Sequence, residues 1–363
     1  MVSLLSQKWG NPSSIHSWGE RAAVVLETAR EQVARLIHAP TSEDLIFTAG
    51  GTEADNLAVF GVVQQYHSSG PQHLIISQVE HPAIAKPAER LEQLGWQVTR
   101  LPVNQGGLID PEALKSAIQE NTVLVSLIYG QSEVGTIQPI EALAAIAKAQ
   151  GIIFHTDAVQ VAGRLPLDVQ SLGVDLLSLS SHKIYGIQGA GALYVKKGVE
   201  LAPFMLGGGQ EMGRRSGTPS LPTIAAFGLA AELANRAIGE ETPRLMALRD
   251  RLFTLLADCP HLMPTGDKIQ RLPHHLSFII EPPMTGKTLV RQLNLAGIGI
   301  SSGSACQSGK LSPSTTLTAL GYSDALALGG IRLTLGRDTT SEDIEWTAMV
   351  IKQIISSTYS SNP

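Results

Sequence analysis

Between residues 45 and 195, short β-rich runs alternate with helix-length segments, and no other feature of the chain constrains its fold as much. The runs are DLIFT (44–48), HLIIS (73–77), WQVTRL (96–101), TVLVSLIY (122–129), GIIFH (151–155), VDLLSLS (174–180) and GALYV (191–195). Amphipathic stretches such as TEADNLAVFGVVQQYH (52–67) and PIEALAAIAKAQG (139–151) separate them. Strands spaced by helices predict βαβ units and a largely parallel sheet with helices on both faces. Seven such strands make one large α/β domain, placed at residues 1–239.

After the Gly-rich LGGGQEMGRRSGTPS (206–220) the rhythm changes. A helical pattern over 222–238 is followed by a second helix, ETPRLMALRDRLFTLLAD. Then come HHLSFII, a helix from about residue 285, IGISSGS and IRLTLG. These fewer, mixed elements predict a smaller α+β domain over residues 240–363. A chain of 363 residues, 43% apolar and 16% charged, can bury a core of that extent and cover more surface against a second subunit.

The formal charge of −5 argues against a duplex nucleic-acid binder, which needs a basic face. No apolar run approaches the roughly 18 residues that a membrane span requires. The opening MVSLLSQKWGNP lacks the order of a signal peptide. Cys259 and Cys306 are too few for a disulfide framework, so the expectation is a reduced, cytoplasmic protein.

In open α/β sheets, ligands sit beyond the carboxyl ends of the strands. After the first strand come Gly50, Gly51 and Thr52, which open a helix and suit a phosphate, or serve only as a turn and an N-cap. After the second comes His81, before a proline, a turn histidine when taken singly. After the fifth come Asp157 and Gln160, three apart at the start of an expected helix that Asp157 would otherwise simply cap. After the sixth comes Lys183, with Ser180, Ser181 and His182 before it.

Together these residues supply what pyridoxal phosphate requires. The phosphate takes a helix N-terminus and hydroxyls, the aldehyde takes a lysine as a Schiff base, and the pyridine nitrogen takes a carboxylate that keeps it protonated. An ion pair at about 4 Å in an effective dielectric near 20 supplies on the order of 4 kcal/mol gross, enough to raise the ring pKa by roughly three units.

Cys306 lies in SSGSACQSGKLSPS (301–314), among glycines, a proline and six serines. That is loop composition, and a thiol on a loop is placed to reach something.

NPSSIH (11–16), GGTEADN (50–56), EHPA (80–83), HTDAVQ (155–160), SSHKIYG (180–186), RRSGT (214–218), SSGSAC (301–306) and IRLTLGR (331–337) together resemble the cysteine desulfurases. These are pyridoxal-phosphate enzymes of the aspartate-aminotransferase fold (fold type I) within the class V aminotransferases. The resemblance runs from about residue 10 to 340, and Lys183 follows Asp157 by 26 residues as that pattern requires.

The resemblance implies that Lys183 carries the cofactor, that His81 stacks on its ring, and that Asp157 and Gln160 bond the ring nitrogen and hydroxyl. Gly51, Thr52, Ser180, Ser181 and His182 would hold the phosphate. Thr218 would reach it from the neighbouring subunit of a homodimer. Arg332 would clamp the carboxylate of L-cysteine, with Asn11 and Ser132 also on the substrate side. Cys306 would take the sulfur as a persulfide, release L-alanine, and pass the sulfur to an acceptor or scaffold protein for iron–sulfur clusters and thio-cofactors.

Two departures from the pattern stand out. The family's opening stretch, with its Asp and Ala-Thr-Thr, has no counterpart before NPSSIH. The expectation is therefore a chain lacking that segment, through a misassigned start or a loss that takes part of the pocket and the small domain with it. In GQSEVGTIQPI (130–140), Ser132 stands where the family has an asparagine that contacts ring and substrate. The shorter hydroxyl would leave a contact worth about 1–3 kcal/mol unmade.

TGKT (285–288) is no Walker motif, because Glu281 occupies the position of its first glycine. Cys259, His261, His274 and His275 match no zinc-finger spacing, and no metal is expected. Two alternatives remain beside the desulfurase. One is another pyridoxal-phosphate lyase, aminotransferase or selenocysteine lyase. The other is a degenerate paralogue that only binds partners.

Overall fold

The computed structural model describes residues 2–6, 10–303 and 312–360, and the chain divides into two compact units. The first comprises Met1–Leu101, Pro111–Tyr129 and Pro139–Ile238. Its seven strands are β1 (Leu45–Thr48), β2 (His73–Ser77), β3 (Gln97–Leu101), β4 (Thr122–Ile128), β5 (Ile153–Asp157), β6 (Leu176–Ser180) and β7 (Gly191–Val195), in the order β1-β7-β6-β5-β4-β2-β3.

The five strands from β6 to β3 pair in parallel, as the βαβ rhythm predicts. Strand β7 runs antiparallel to both neighbours. Only residues 181–190 join β6 to β7, too few for the crossover that a parallel return needs.

Ile46, Leu74, Ile76, Leu124, Leu176 and Leu193 form a buried core with the helices Gly51–Val63 and Pro82–Gln93. The second helix turns Ala83, Ile84, Pro87, Ala88 and Leu91 to one buried face and begins with Pro82, whose missing N–H costs nothing in a first turn. At the free edge of β1, Glu211 accepts the Phe47 N–H (2.8 Å) and Arg30 donates to the Leu45 carbonyl (2.9 Å). Arg30 and Glu211 bind each other through two bonds of 2.7 and 2.9 Å, so a buried ion pair covers the unpaired edge.

Two expected elements differ. No helix directly follows β5: Asp157 closes that strand, residues 159–164 form a turn, and the next helix is the short Val169–Leu172. The Asp157 side chain takes the Val159 N–H (2.9 Å) as an N-cap would, but Gly163, in the left-handed region at φ 67, ends the turn. The segments expected as two helices around residue 240 form one, Leu221–Leu256, with Pro243 inside it and without an N–H for the Gly239 carbonyl.

The second unit comprises Pro102–Asp110, Gly130–Gln138 and Gly239–Pro363, so it takes two short stretches that the sequence reading left in the large domain. Its sheet contains β8 (Leu262–Pro264), β9 (His275–Ile280), β10 (Ser301–Ser302) and β11 (Gly330–Thr334), all antiparallel in the order β10-β11-β9-β8. Leu252, Leu276, Ile280, Leu289, Leu293, Ile331 and Ile351 fill its core.

TGKT caps the helix Gly286–Leu295: Thr285 Oγ1 accepts the Thr288 N–H (3.2 Å), and a Cβ on Gly286 would stand 2.2 Å from the Gly330 carbonyl oxygen. Among the described residues, no helix is long and apolar enough to cross a membrane.

Candidate active site

The parallel strands of the first unit end on one side of the sheet, and the predicted residues follow those ends. Asp157 is buried at the end of β5. Burial pushes its carboxyl up to about 6, against the pull of the Val159 N–H and the positive charge of Lys183. His81 caps the helix Pro82–Gln93, its Nδ1 accepting the Ala83 N–H at 3.1 Å. Burial, and then Lys183, lowers its pKa, so the ring is neutral at pH 7 with its proton on Nε2.

Lys183 lies exposed on the single turn Ser181–Ile184 directly after β6. That turn stops at Tyr185, in the left-handed region at φ 64, with the Arg164 guanidinium 5.0 Å over its ring. Its ammonium acts on Asp157, His81 and His182 alike. Three residues far apart in sequence thus form one electrostatic cluster.

The helix Gly51–Val63 starts against the ends of β5 and β6. A Cβ on Gly51 would stand 2.9 Å from Val159 Cγ2 and 3.3 Å from Ser180 Cβ. Opposite, a Cβ on Gly191 would stand 2.5 Å from the Gly50 carbonyl carbon, so both glycines are required by close approach. The first-turn N–H groups of this helix have no carbonyl within it, and Thr52 stands exposed among them.

Ser180 Oγ bonds His182 Nδ1 (2.9 Å). Ser181 Oγ is buried and turned to Gly186, where a Cβ would come within 2.1 Å of it. Gln160 is half-buried in the turn after β5. Thr218 lines a cavity of about 100 Å³ with Thr48, Ala49 and Gly189. Asn11 closes a turn through the Ser13 N–H (3.0 Å) ahead of the helix Ser17–Leu36.

Sequence reasoning missed a buried polar layer beneath this cluster. Glu80 accepts from Ser77 Oγ (2.5 Å) and the Ile128 N–H (3.0 Å), and burial pushes it up to about 8. His155 is bonded at Nδ1 to Ser126 Oγ (2.8 Å) and at Nε2 to Ser178 Oγ (2.9 Å), and burial lowers it to about 3. Asp55 lies 3.7 Å from His155 Nε2. The contact is no ion pair, since burial raises Asp55 and keeps His155 neutral. The signal was present in HTDAVQ and GGTEADN: a histidine and an aspartate inside otherwise buried elements.

The donor atoms of Asp55, His81 and Asp157 lie within 4.8 Å of one another. Cys259 is buried, whereas His261 pairs with Glu281 (2.9 Å) and stacks on Tyr359, and His274 meets His275 edge-on.

In the second unit, Arg332 on β11 donates from Nη1 to the Ser132 carbonyl (2.9 Å) and from Nη2 to Ser301 Oγ (3.0 Å). Ser132 therefore meets this arginine through its backbone. Its neighbour Glu133 is half-buried, with Oε1 out of solvent and without a hydrogen-bond partner among the described residues, and burial, opposed by Ser314, Thr316 and Arg332, raises it to about 7. Cys306 falls in 304–311, outside the described residues.

A large α/β sheet with an exposed lysine after β6, a buried carboxyl closing β5 and a neutral imidazole after β2 defines a class of protein. The class-V aminotransferase family profile matches residues 1–346. The cysteine desulfurase IscS of Dictyoglomus turgidum is 43% identical over 356 residues, covering 98% of this chain and 90% of that protein. A solved NifS-like protein superimposes with a TM-score of 0.91 at 32% identity, covering 98% of this chain and 94% of its own. SspA, solved in complex with cysteine, superimposes at 0.79 and 32%, covering 92% of each chain. The chain belongs to the cysteine desulfurase family of class-V aminotransferases.

Proposed function

We propose that the chain binds pyridoxal 5′-phosphate beyond the ends of β5 and β6 and uses it to desulfurate L-cysteine to L-alanine, handing the sulfur to Cys306. The observation that carries this reading is the ammonium of Lys183, whose charge reaches both Asp157 and His81. The donor set fits the cofactor. Asp157 is a buried carboxyl suited to a ring N–H⁺, Gly51 lets its helix start close against Ser180, and that helix N-terminus suits a phosphate.

When bound, the cofactor supplies an electron sink for the substrate's Cα. Asp157, facing a cation, ionises and keeps the ring nitrogen protonated. His81, neutral and fixed by Ala83, covers the ring face without adding charge. Lys183 Nζ takes the Cα proton and returns it. Arg332, its fork oriented by Ser132 and Ser301, pairs with the substrate carboxylate.

The Cys306 thiolate attacks the substrate sulfur. An S–S bond forms, the S–Cβ bond breaks, and its electron pair stays on carbon, which is protonated to the methyl of alanine. The resulting persulfide passes to an acceptor protein serving iron–sulfur cluster assembly. A thiol with that duty fits the reducing cytoplasm.

A homodimer accords with the exposed Phe204, Met205, Leu206 and Met212, in the same stretch as Thr218. The test is to incubate purified protein with L-cysteine and a reductant and to assay sulfide and alanine together. Equal yields are expected, whereas pyruvate with ammonia would show a lyase instead.

A further inference from the structure

The first unit holds a second buried carboxyl that this mechanism does not use. Asp55, on the helix Gly51–Val63, is 1% exposed, and its Oδ1 has no hydrogen-bond partner among the described residues. An unpaired oxygen that is not solvated is costly as a carboxylate and natural as a hydroxyl donor.

The neighbours fix its surroundings. His155 Nε2, 3.7 Å from Asp55 Oδ1, bonds Ser178 Oγ (2.9 Å), and His155 Nδ1 bonds Ser126 Oγ (2.8 Å). The titratable groups facing Asp55 are Asp157 and His155 from the sheet and Glu80 and His81 from the turn after β2. The cation of the cluster, Lys183, acts on Asp157. Two carboxyls this close in a buried site do not ionise together.

We propose that Asp55 is a positioning residue for Asp157: the two carboxyls hold one proton between them, Asp55 keeps it as the neutral acid, and Asp157 is left as the single anion opposite the ring nitrogen. This rests on the cofactor reading above. His155, fixed between Ser126 and Ser178, packs against Asp55, and the donor atoms of Asp55 and Asp157 lie within 4.8 Å of each other, so the acid's hydroxyl limits how Asp157 can turn. Burial first, and the Asp157 charge second, lift Asp55 well above the usual carboxylate range, which agrees with that arrangement.

The test compares holoenzyme of the wild type, Asp55→Asn and Asp55→Ala by pH titration of the cofactor's visible band, and the wild type with Asp55→Asn by infrared difference spectra in the carbonyl region. Asparagine reproduces a neutral donor, so its spectral pKa is expected within about half a unit of wild type, and alanine's displaced by about one unit or more. The wild-type-minus-Asp55→Asn spectrum is expected to carry a protonated-carboxyl stretch from Asp55, that of Glu80 cancelling between the two proteins. An asparagine variant displaced as far as alanine, or a difference spectrum without that stretch, overturns the proposal. A wild type that takes up no cofactor overturns the cofactor reading instead, and the infrared comparison on the unloaded protein then still decides where the proton lies.

Discussion

The carboxyl of Glu133 closes over Gly303: a Cβ built on that glycine would stand 2.0 Å from Glu133 Oε1. Ser314 and Thr316 also act on this carboxyl, so one half-buried acid faces chain on both sides of 304–311, where Cys306 lies. The Gly303 N–H is fixed on the Gly330 carbonyl at 3.0 Å, which leaves the backbone little room to yield. Gly303→Ala should therefore cost about 1–3 kcal/mol, an overpacking penalty measurable by urea unfolding. Sulfide release should fall while the cofactor band stays.

Glu80 makes a pH prediction of definite sign. Its carboxyl is raised by burial from 4.5 to about 8 in the folded chain. Between those values the folded state keeps a proton that the unfolded state has lost. The stabilisation is complete below the lower value and disappears as pH rises through the upper one. Glu80→Gln should flatten this part of the stability–pH curve, as followed by unfolding of cofactor-free protein across the range.

Arg332 presents two donors whose directions are set by Ser132 and Ser301. Arg332→Lys keeps the charge and loses the fork, so KM for L-cysteine should rise about tenfold or more, the equivalent of 1.4 kcal/mol. The cofactor absorption should not change. Steady-state kinetics beside a visible spectrum separate the two outcomes.

Cys306→Ser removes the sulfur acceptor alone. Sulfide and alanine should drop to background while the cofactor band still responds to added L-cysteine. A lyase would keep turning over in the same variant.

The strands were legible because their apolar runs recur at helix-length spacing, and Lys183, Asp157 and His81 were legible because each follows a strand end. The antiparallel β7 was not, since connection length rather than strand composition decides it. Nor was the turn after β5, which ends at Gly163 in the left-handed region before a helix can extend. Asp55 and His155 stand inside otherwise apolar elements, a signal left unread, whereas the burial of Glu80 is a result of packing that no local pattern encodes. Ser132 was read by its hydroxyl, whereas its backbone carbonyl orients Arg332.

The proposed covalent attachment of the cofactor at Lys183 carries the whole account. Protein saturated with pyridoxal phosphate should be treated with borohydride, digested, and its peptides weighed. The expected result is a stoichiometric reduced pyridoxyl adduct on the peptide containing Lys183, lost in Lys183→Ala. An unmodified Lys183 peptide from saturated wild-type protein would contradict it.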